Sequence, residues 1–311
     1  SIRIRRTFQL VSTQYADVPA QTGDTEQSPT PIISIENLDN YIHDNKVSVK
    51  DLYLQISSMG NEKPDIVEGN DLPDFNPDDE YLQEIKSPIF YAVQKNINIQ
   101  TGQPTILDFD MQRISQRINI VFNIRTEGNI KREDLAAPII ELSGACGRFN
   151  IADACLDTTR LYRMAHQVQP DEFTQTGEGT YRCVVHFHTL GVIPSAAKGH
   201  LNGPGILQVA LQVSTPQLDS SGAPVVDEEG NPVKNSRYIY GAINPYDELT
   251  AAQLIEVRDG KIYLRYSKED VNIEITTPLV IKADQIVPND TGMGWQPHDP
   301  TNPDDDIIIE I

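Results

Sequence analysis

The sequence predicts a mainly β protein built from two antiparallel β-sandwich domains in tandem, and three observations carry that prediction. Apolar and polar residues alternate with period two in one segment after another. The segments are short and separated by turns rich in Gly and Pro. Helical patterning is thin, carried mainly by residues 153–162 and 251–255. With 311 residues, 39% of them hydrophobic, the chain is long enough for about two cored domains. Gly102 and Pro104 punctuate the middle of the strand pattern, which divides the chain into 1–103 and 104–311.

Ile2, Ile4, Phe8 and Leu10 alternate with Arg3, Arg5, Thr7 and Gln9, the pattern of a half-buried strand. Val47, Val49, Leu52, Leu54 and Ile56 repeat it, and the phase break between Val49 and Leu52 marks a bulge at Lys50 and Asp51. Residues 60–80 hold three prolines and many acids and read as a long surface loop. Residues 81–86 read as one helical turn and 88–99 as strand material. The longest β signal, 106–124, alternates through Leu107, Phe109 and Met111, slips near Arg113 to Ser115, and resumes at Ile118, Ile120, Phe122 and Ile124. It implies two strands or one long bent strand. Six further strands are predicted at 138–142, 181–190, 206–214, 237–243, 261–266 and 271–281. Between them, Ser-Gly and Glu-Gly-Asn-Pro turns flank Pro224, Val225 and Val226 in an exposed hairpin extension near 217–234. The chain ends on Ile307, Ile308, Ile309, Glu310 and Ile311, beyond a tether of prolines and aspartates at 296–306. Alternation gives this tail strand a buried side of Ile307, Ile309 and Ile311, and such a segment joins a sheet edge, its own or a neighbour's.

Composition and spacing argue against chemistry. A net charge of −20 repels a phosphate backbone and an anionic membrane surface, and no run of 18 apolar residues spans a bilayer. Three cysteines leave an odd thiol under any pairing; the spacing of Cys146 and Cys155 fits neither a redox nor a zinc motif, and Cys183 stands apart. Isolated thiols or one disulfide are the two readings. His186 and His188 share a strand face at a spacing suited to two metal ligands, but no third ligand is evident. Because Tyr181, Cys183, Val185 and Phe187 form the opposite, apolar face, the histidines are expected on the solvent side. The acids at Asp219 and at 227–229 lack the pattern of a calcium loop and read as turns, while 304–306 read as guards against aggregation. The Gly-rich 199–205 segment leads into a strand and offers no helix N-terminus to phosphate. No catalytic residue, cofactor or metal is expected.

Several stretches resemble the Bacteroidales fimbrillin superfamily, the two-domain pilins of type V pili and their surface lipoproteins, most closely the anchor and tip-like branch. They are VSVKDLYLQI from Val47, DFDMQRISQRINIVFNI from Asp108, IIELSGACGRFNI from Ile139, NIEITTPLVI from Asn272, and a tryptophan, Trp295, ahead of a short apolar strand. The resemblance implies transthyretin-like, Greek-key sandwiches and a non-catalytic role in fimbria assembly and cell adhesion. It implies export through the periplasm and attachment to the cell outer membrane by an N-terminal lipid anchor absent from this chain. Its partners would be other pilus subunits, joined by β-strand addition, with host proteins or glycans as adhesion targets. Ile307, Ile308, Ile309, Glu310 and Ile311 would be the donated strand, or would complete their own domain as in other members. Arg5 and Arg6 would be a processing site, although an exposed strand edge also explains them. The alternative is a surface glycan-binding β-sandwich lipoprotein, which needs exposed aromatics on a concave face.

Overall fold

The computed structural model of the protein describes residues 2–8, 53–56, 58–60, 80–92, 105–128, 130–265, 270–283, 285–290 and 292–298. The described part opens with β1 (Ile2–Phe8), β2 (Tyr53–Gln55), β3 (Ser58–Gly60), β4 (Tyr81–Leu82), β5 (Phe90–Tyr91) and β6 (Thr105–Arg113). It continues with β7 (Gln116–Glu127), β8 (Ile139–Asn150), β9 (Cys155–Gln167), β10 (Phe173–Gly177), β11 (Thr180–Thr189), β12 (Leu207–Pro216) and β13 (Lys234–Ile243). A short helix, α1 (Tyr246–Ala252), precedes β14 (Ile255–Arg258), β15 (Lys261–Leu264), β16 (Asp270–Lys282), β17 (Gln285–Val287) and β18 (Gln296–Pro297).

Two sheets share one core. The first runs β10-β11-β7-β16-β17 and the second β14-β15-β9-β8-β12-β13-β18, with β2 laid on β8 and β4 on β9. Ile118, Ile120, Phe122 and Ile124 of β7 are fully buried, as alternation requires, and meet Ile140, Leu142, Val209 and Leu211 of the second sheet in one apolar cluster. A smaller sheet, β1-β6-β5, completes the set. The mainly β reading stands, and most pairings are antiparallel. One central pairing is not: β16 runs parallel to β7, with Val271 beside Ile118 and Ile273 beside Ile120. Such a pair needs a long connection, and every strand from β8 to β15 lies within it.

Three local readings change. The phase slip at 113–115 is a break between β6 and β7, so the long signal is two strands. The helical patterning at 153–162 lies in β9 instead, because Leu156, Leu161 and Met164 pair across to β8, and a tight turn with Ala154 at φ 56° reverses the chain between the two strands. Residues 81–82 are extended rather than helical. The Tyr81 hydroxyl donates to Glu141 Oε1 at 2.5 Å, and Leu82 packs over Gly147, where a Cβ would meet it at 2.9 Å.

The hairpin extension is a doubled turn. Leu-Asp-Ser-Ser-Gly-Ala-Pro-Val and Val-Asp-Glu-Glu-Gly-Asn-Pro-Val follow each other from Leu218 and from Val226. They fold identically: the Gly222 and Gly230 amides donate to the Asp219 and Asp227 carbonyls, and the aspartate Oδ1 accepts two backbone N–H groups in each copy. Both glycines take positive φ, 81° and 86°, as a type I turn with a glycine bulge demands.

The carboxyl-terminal segment, as far as it is described, docks on its own domain. Between Ile275 and Leu279, β16 bulges by three residues against Asn123 of β7. Trp295 is buried beneath the bulge, 5.1 Å from the Phe122 ring, and its indole N–H donates to the exposed carbonyl of Thr277 at 3.0 Å. From there Gln296 and Pro297 pair with Ala242 and Gly241 at the edge of β13, and the His298 amide donates to the Tyr240 carbonyl. Trp295→Ala is expected to cost about 3–5 kcal/mol, measured by denaturant unfolding followed by circular dichroism. Trp295→Phe, which keeps most of the packing and loses the hydrogen bond to Thr277, should cost less.

Candidate functional site: a groove along an open strand edge

The site begins with an unfinished pairing. β16 is bonded to β7 along its length, but its other edge meets β17 only at Val280, Ile281 and Lys282. Residues 270–275 therefore have a strand neighbour on one side only, among the described residues. Facing that edge, α1 presents Ala251, Ala252 and Glu248, while Leu249 anchors the helix in the core. The gap is an open groove of about 460 Å³ with five consecutive residues, 270–274, along one wall. Consecutive lining is the signature of a strand edge, since a sheet face exposes only every second residue. The side chains flanking the edge divide cleanly: Asp270, Asn272 and Glu274 are exposed, whereas Val271, Ile273 and Ile275 are buried. An unpaired edge beside small helical residues can receive an extended segment by backbone hydrogen bonding.

A second polar cluster joins β7 and β11 of this sheet to the end of β9 in the other. His166 Nε2 lies 2.9 Å from Glu172 Oε2, His186 Nε2 lies 3.6 Å from Glu172 Oε1, and His186 Nδ1 lies 2.7 Å from Asn119 Oδ1. Burial works to raise the Glu172 carboxyl, but the Gln169 backbone N–H and His166 outweigh it and hold it below the ordinary carboxylate value. His166 and Glu172 carry no signal in the sequence; His166 meets His186 only where the end of β9 approaches β11 of the facing sheet. The expected solvent face of the histidines holds for His186, which is partly exposed. His188 is buried instead, because the segment after β4 covers it: Ile85 N–H donates to the His188 carbonyl, and Ser115 Oγ lies 3.0 Å from its ring. His186 and His188 thus do not act together, and no group of three or more His, Cys, Asp or Glu suited to a metal occurs among the described residues.

Ile307, Ile308, Ile309, Glu310 and Ile311 lie outside the described residues, as do the aspartates at 304–306. Arg5 and Arg6 lie in β1, opposite Asp108 and Leu107 of β6. Cys146, Cys155 and Cys183 are free thiols, which leaves the one-disulfide reading without a pair. Burial, then Asp157, pushes Cys146 up to about 12, and burial likewise raises Cys183, so neither offers a thiolate. Asp219 and Asp227 spend their carboxylates on their own turns. No helix among the described residues is long and apolar enough to cross a membrane.

Fold and groove together define a mainly β protein with an exposed sheet edge. No protein-family model and no curated protein matches the chain. Among solved structures, a candidate adhesin of Bacteroides ovatus is similar at 11% identity and a TM-score of 0.31, over 76% of this chain and 68% of that one. A superposition at that level assigns neither a family nor a function.

Burial, followed by Arg113, lowers the His188 pKa from its ordinary 6.5. A depressed folded-state pKa gives stability that is complete above the unfolded value and is lost as the pH falls through 6.5 toward the folded value. Unfolding free energy should therefore drop between pH 7 and pH 5, and His188→Gln should make that drop smaller, as read by urea titrations at the two pH values.

Proposed function

We propose that the protein is a non-catalytic subunit of a cell-surface fimbria, an anchoring or adhesive component exported through the periplasm, which joins its neighbours by β-strand addition. The observation that supports this most directly is the open edge of β16 facing α1, an acceptor for one extended chain. Two features agree with it. Residues 307–311 have the alternation of an apolar β-segment beyond a polar, proline-rich stretch, and the chain enters that stretch from a fixed point, since Trp295 and β18 are docked on the domain itself. Arg5 and Arg6, in an edge strand, suit a processing site in this reading.

A surface glycan-binding module is the second reading. Tyr238 and Tyr240 favour it: their rings stack on one face of β13 with centroids 6.3 Å apart and planes 27° from parallel, a platform on which a sugar could lie. Saturable binding on a glycan array, lost in Tyr238→Ala with Tyr240→Ala, would reverse the ranking.

The test of strand donation is removal of residues 304–311, followed by assembly with partner pilins. Incorporation downstream of this subunit should be lost while the far-ultraviolet circular dichroism is unchanged. Unaltered incorporation would eliminate the tail as a donor.

A further inference from the structure

We infer that the groove between β16 and α1 accepts a basic strand from a different subunit, one with apolar residues alternating with Arg or Lys, and that it rejects this chain's own tail. The inference rests on the strand-addition reading above and adds the chemistry of the incoming segment. Glu274 stands on the strand wall and Glu248 on the helix wall, and neither has an ion-pair or hydrogen-bond partner among the described residues. Among the described residues, no basic side chain lines the groove. Asp270, at the open end, lies 3.8 Å from Arg113 and is 60% exposed, so it is only partly neutralised. On β7, Glu274 is opposite Val121, which offers it no counter-charge.

A strand laid along this edge continues the pleat, so its alternate side chains stand beside the two rows of β16. Apolar residues would extend the row Val271, Ile273 and Ile275, and cations would stand beside Asp270 and Glu274. The tail satisfies only the first condition. Ile307, Ile309 and Ile311 suit the apolar row, but Glu310 and the aspartates at 304–306 bring negative charge to a negative groove, and like charges placed directly across a strand pair are destabilising. Within the chain, the Ile-Arg-Ile-Arg run of β1 has the required pattern, and it is already paired to β6. The joint is therefore heterologous: the strand that fills this groove comes from a subunit other than a second copy of this chain.

Two labelled peptides test this against the full chain, residues 1–8 as the basic probe and residues 304–311 as the acidic one, by fluorescence anisotropy and by hydrogen exchange at 270–275. The basic probe should bind, protect that edge and weaken with added salt. Glu248→Lys with Glu274→Lys, both at groove-lining positions, should weaken it about tenfold and should improve the acidic probe. Equal binding of the basic probe to both proteins, or tighter binding of the acidic probe to the unaltered one, would overturn the inference. Protection of 270–275 by the acidic probe alone would leave strand addition standing while removing the charge selection. Protection by neither peptide, together with unaltered assembly after tail removal, would remove both.

Discussion

The architecture depends on how β7 is buried. Its four inward residues, Ile118, Ile120, Phe122 and Ile124, have no exposed surface, and both of its edges are bonded, to β11 on one side and β16 on the other. A strand so enclosed fixes what flanks it. Because β16 joins it in parallel, the last long strand of the described chain closes against the first of its sheet, and everything between must fold as the connection. The three-residue bulge at 276–278 follows from matching β16 to β7 on both sides of Asn123, and it exposes the Thr277 carbonyl. Trp295 repairs that defect, filling the space over Phe122 and satisfying the carbonyl with its N–H. One bulge thus explains where Trp295 docks.

What is legible in the sequence is what periodicity encodes. Alternation places β7, β11 and β16 and names the buried faces of β7 and β11, since each side chain's face is a property of the strand alone. Pairing is a property of two strands, and neither the parallel β7–β16 contact nor the open edge at 270–275 leaves a trace in the period. For the same reason Leu156 and Leu161 look helical: a bulged strand breaks its own alternation, and β9 bulges against β8 between Asp157 and Leu161. His188 marks a second limit of periodicity. Its face is opposite to the core, as alternation requires, but a segment about a hundred residues upstream covers that face. The doubled turn at 218–233 is written in the residues themselves, as an eight-residue repeat with Asp and Gly at fixed offsets, because turn chemistry is local and needs no distant partner.

A buried polar chain ties the two ends of this arrangement together. Tyr81 bonds Glu141, Glu141 faces Arg163, Arg163 bonds Gln208 at 2.5 Å, and Gln208 lies 3.0 Å from His298, so the chain crosses from β4 to the residue after β18. The roles along it are forced. Arg163 only donates, so it takes the Gln208 amide oxygen; the amide nitrogen then donates to His298 Nε2, which must be unprotonated there. All five side chains are buried, and a buried donor or acceptor left unpaired costs about 1–3 kcal/mol. The point at which the tether begins is therefore fixed by a network rather than by a single contact.

Fixing that point decides what the remainder of the chain can do. Residues 299–311 number thirteen, a reach of roughly 43–47 Å if fully extended, which is the span the proposed strand donation would have available from β18. A donor with a rigid root transmits load through the root, and here the load would run through β18, Trp295 and the β16 bulge into the central pairing. The acceptor edge lies on that same β16, at residues 270–275. In the proposed joint an incoming strand would load β16 and its parallel ladder to β7, an outgoing tail would load β18 and its pairing with β13 in the facing sheet, and Trp295 against Phe122 and Thr277 would link the two. Shearing a ladder loads its hydrogen bonds together, whereas pulling across a core would separate them one at a time. In the proposed joint the charge of the groove and its place on β16 would have different consequences: the first would select which strand enters, and the second would set how the joint bears force.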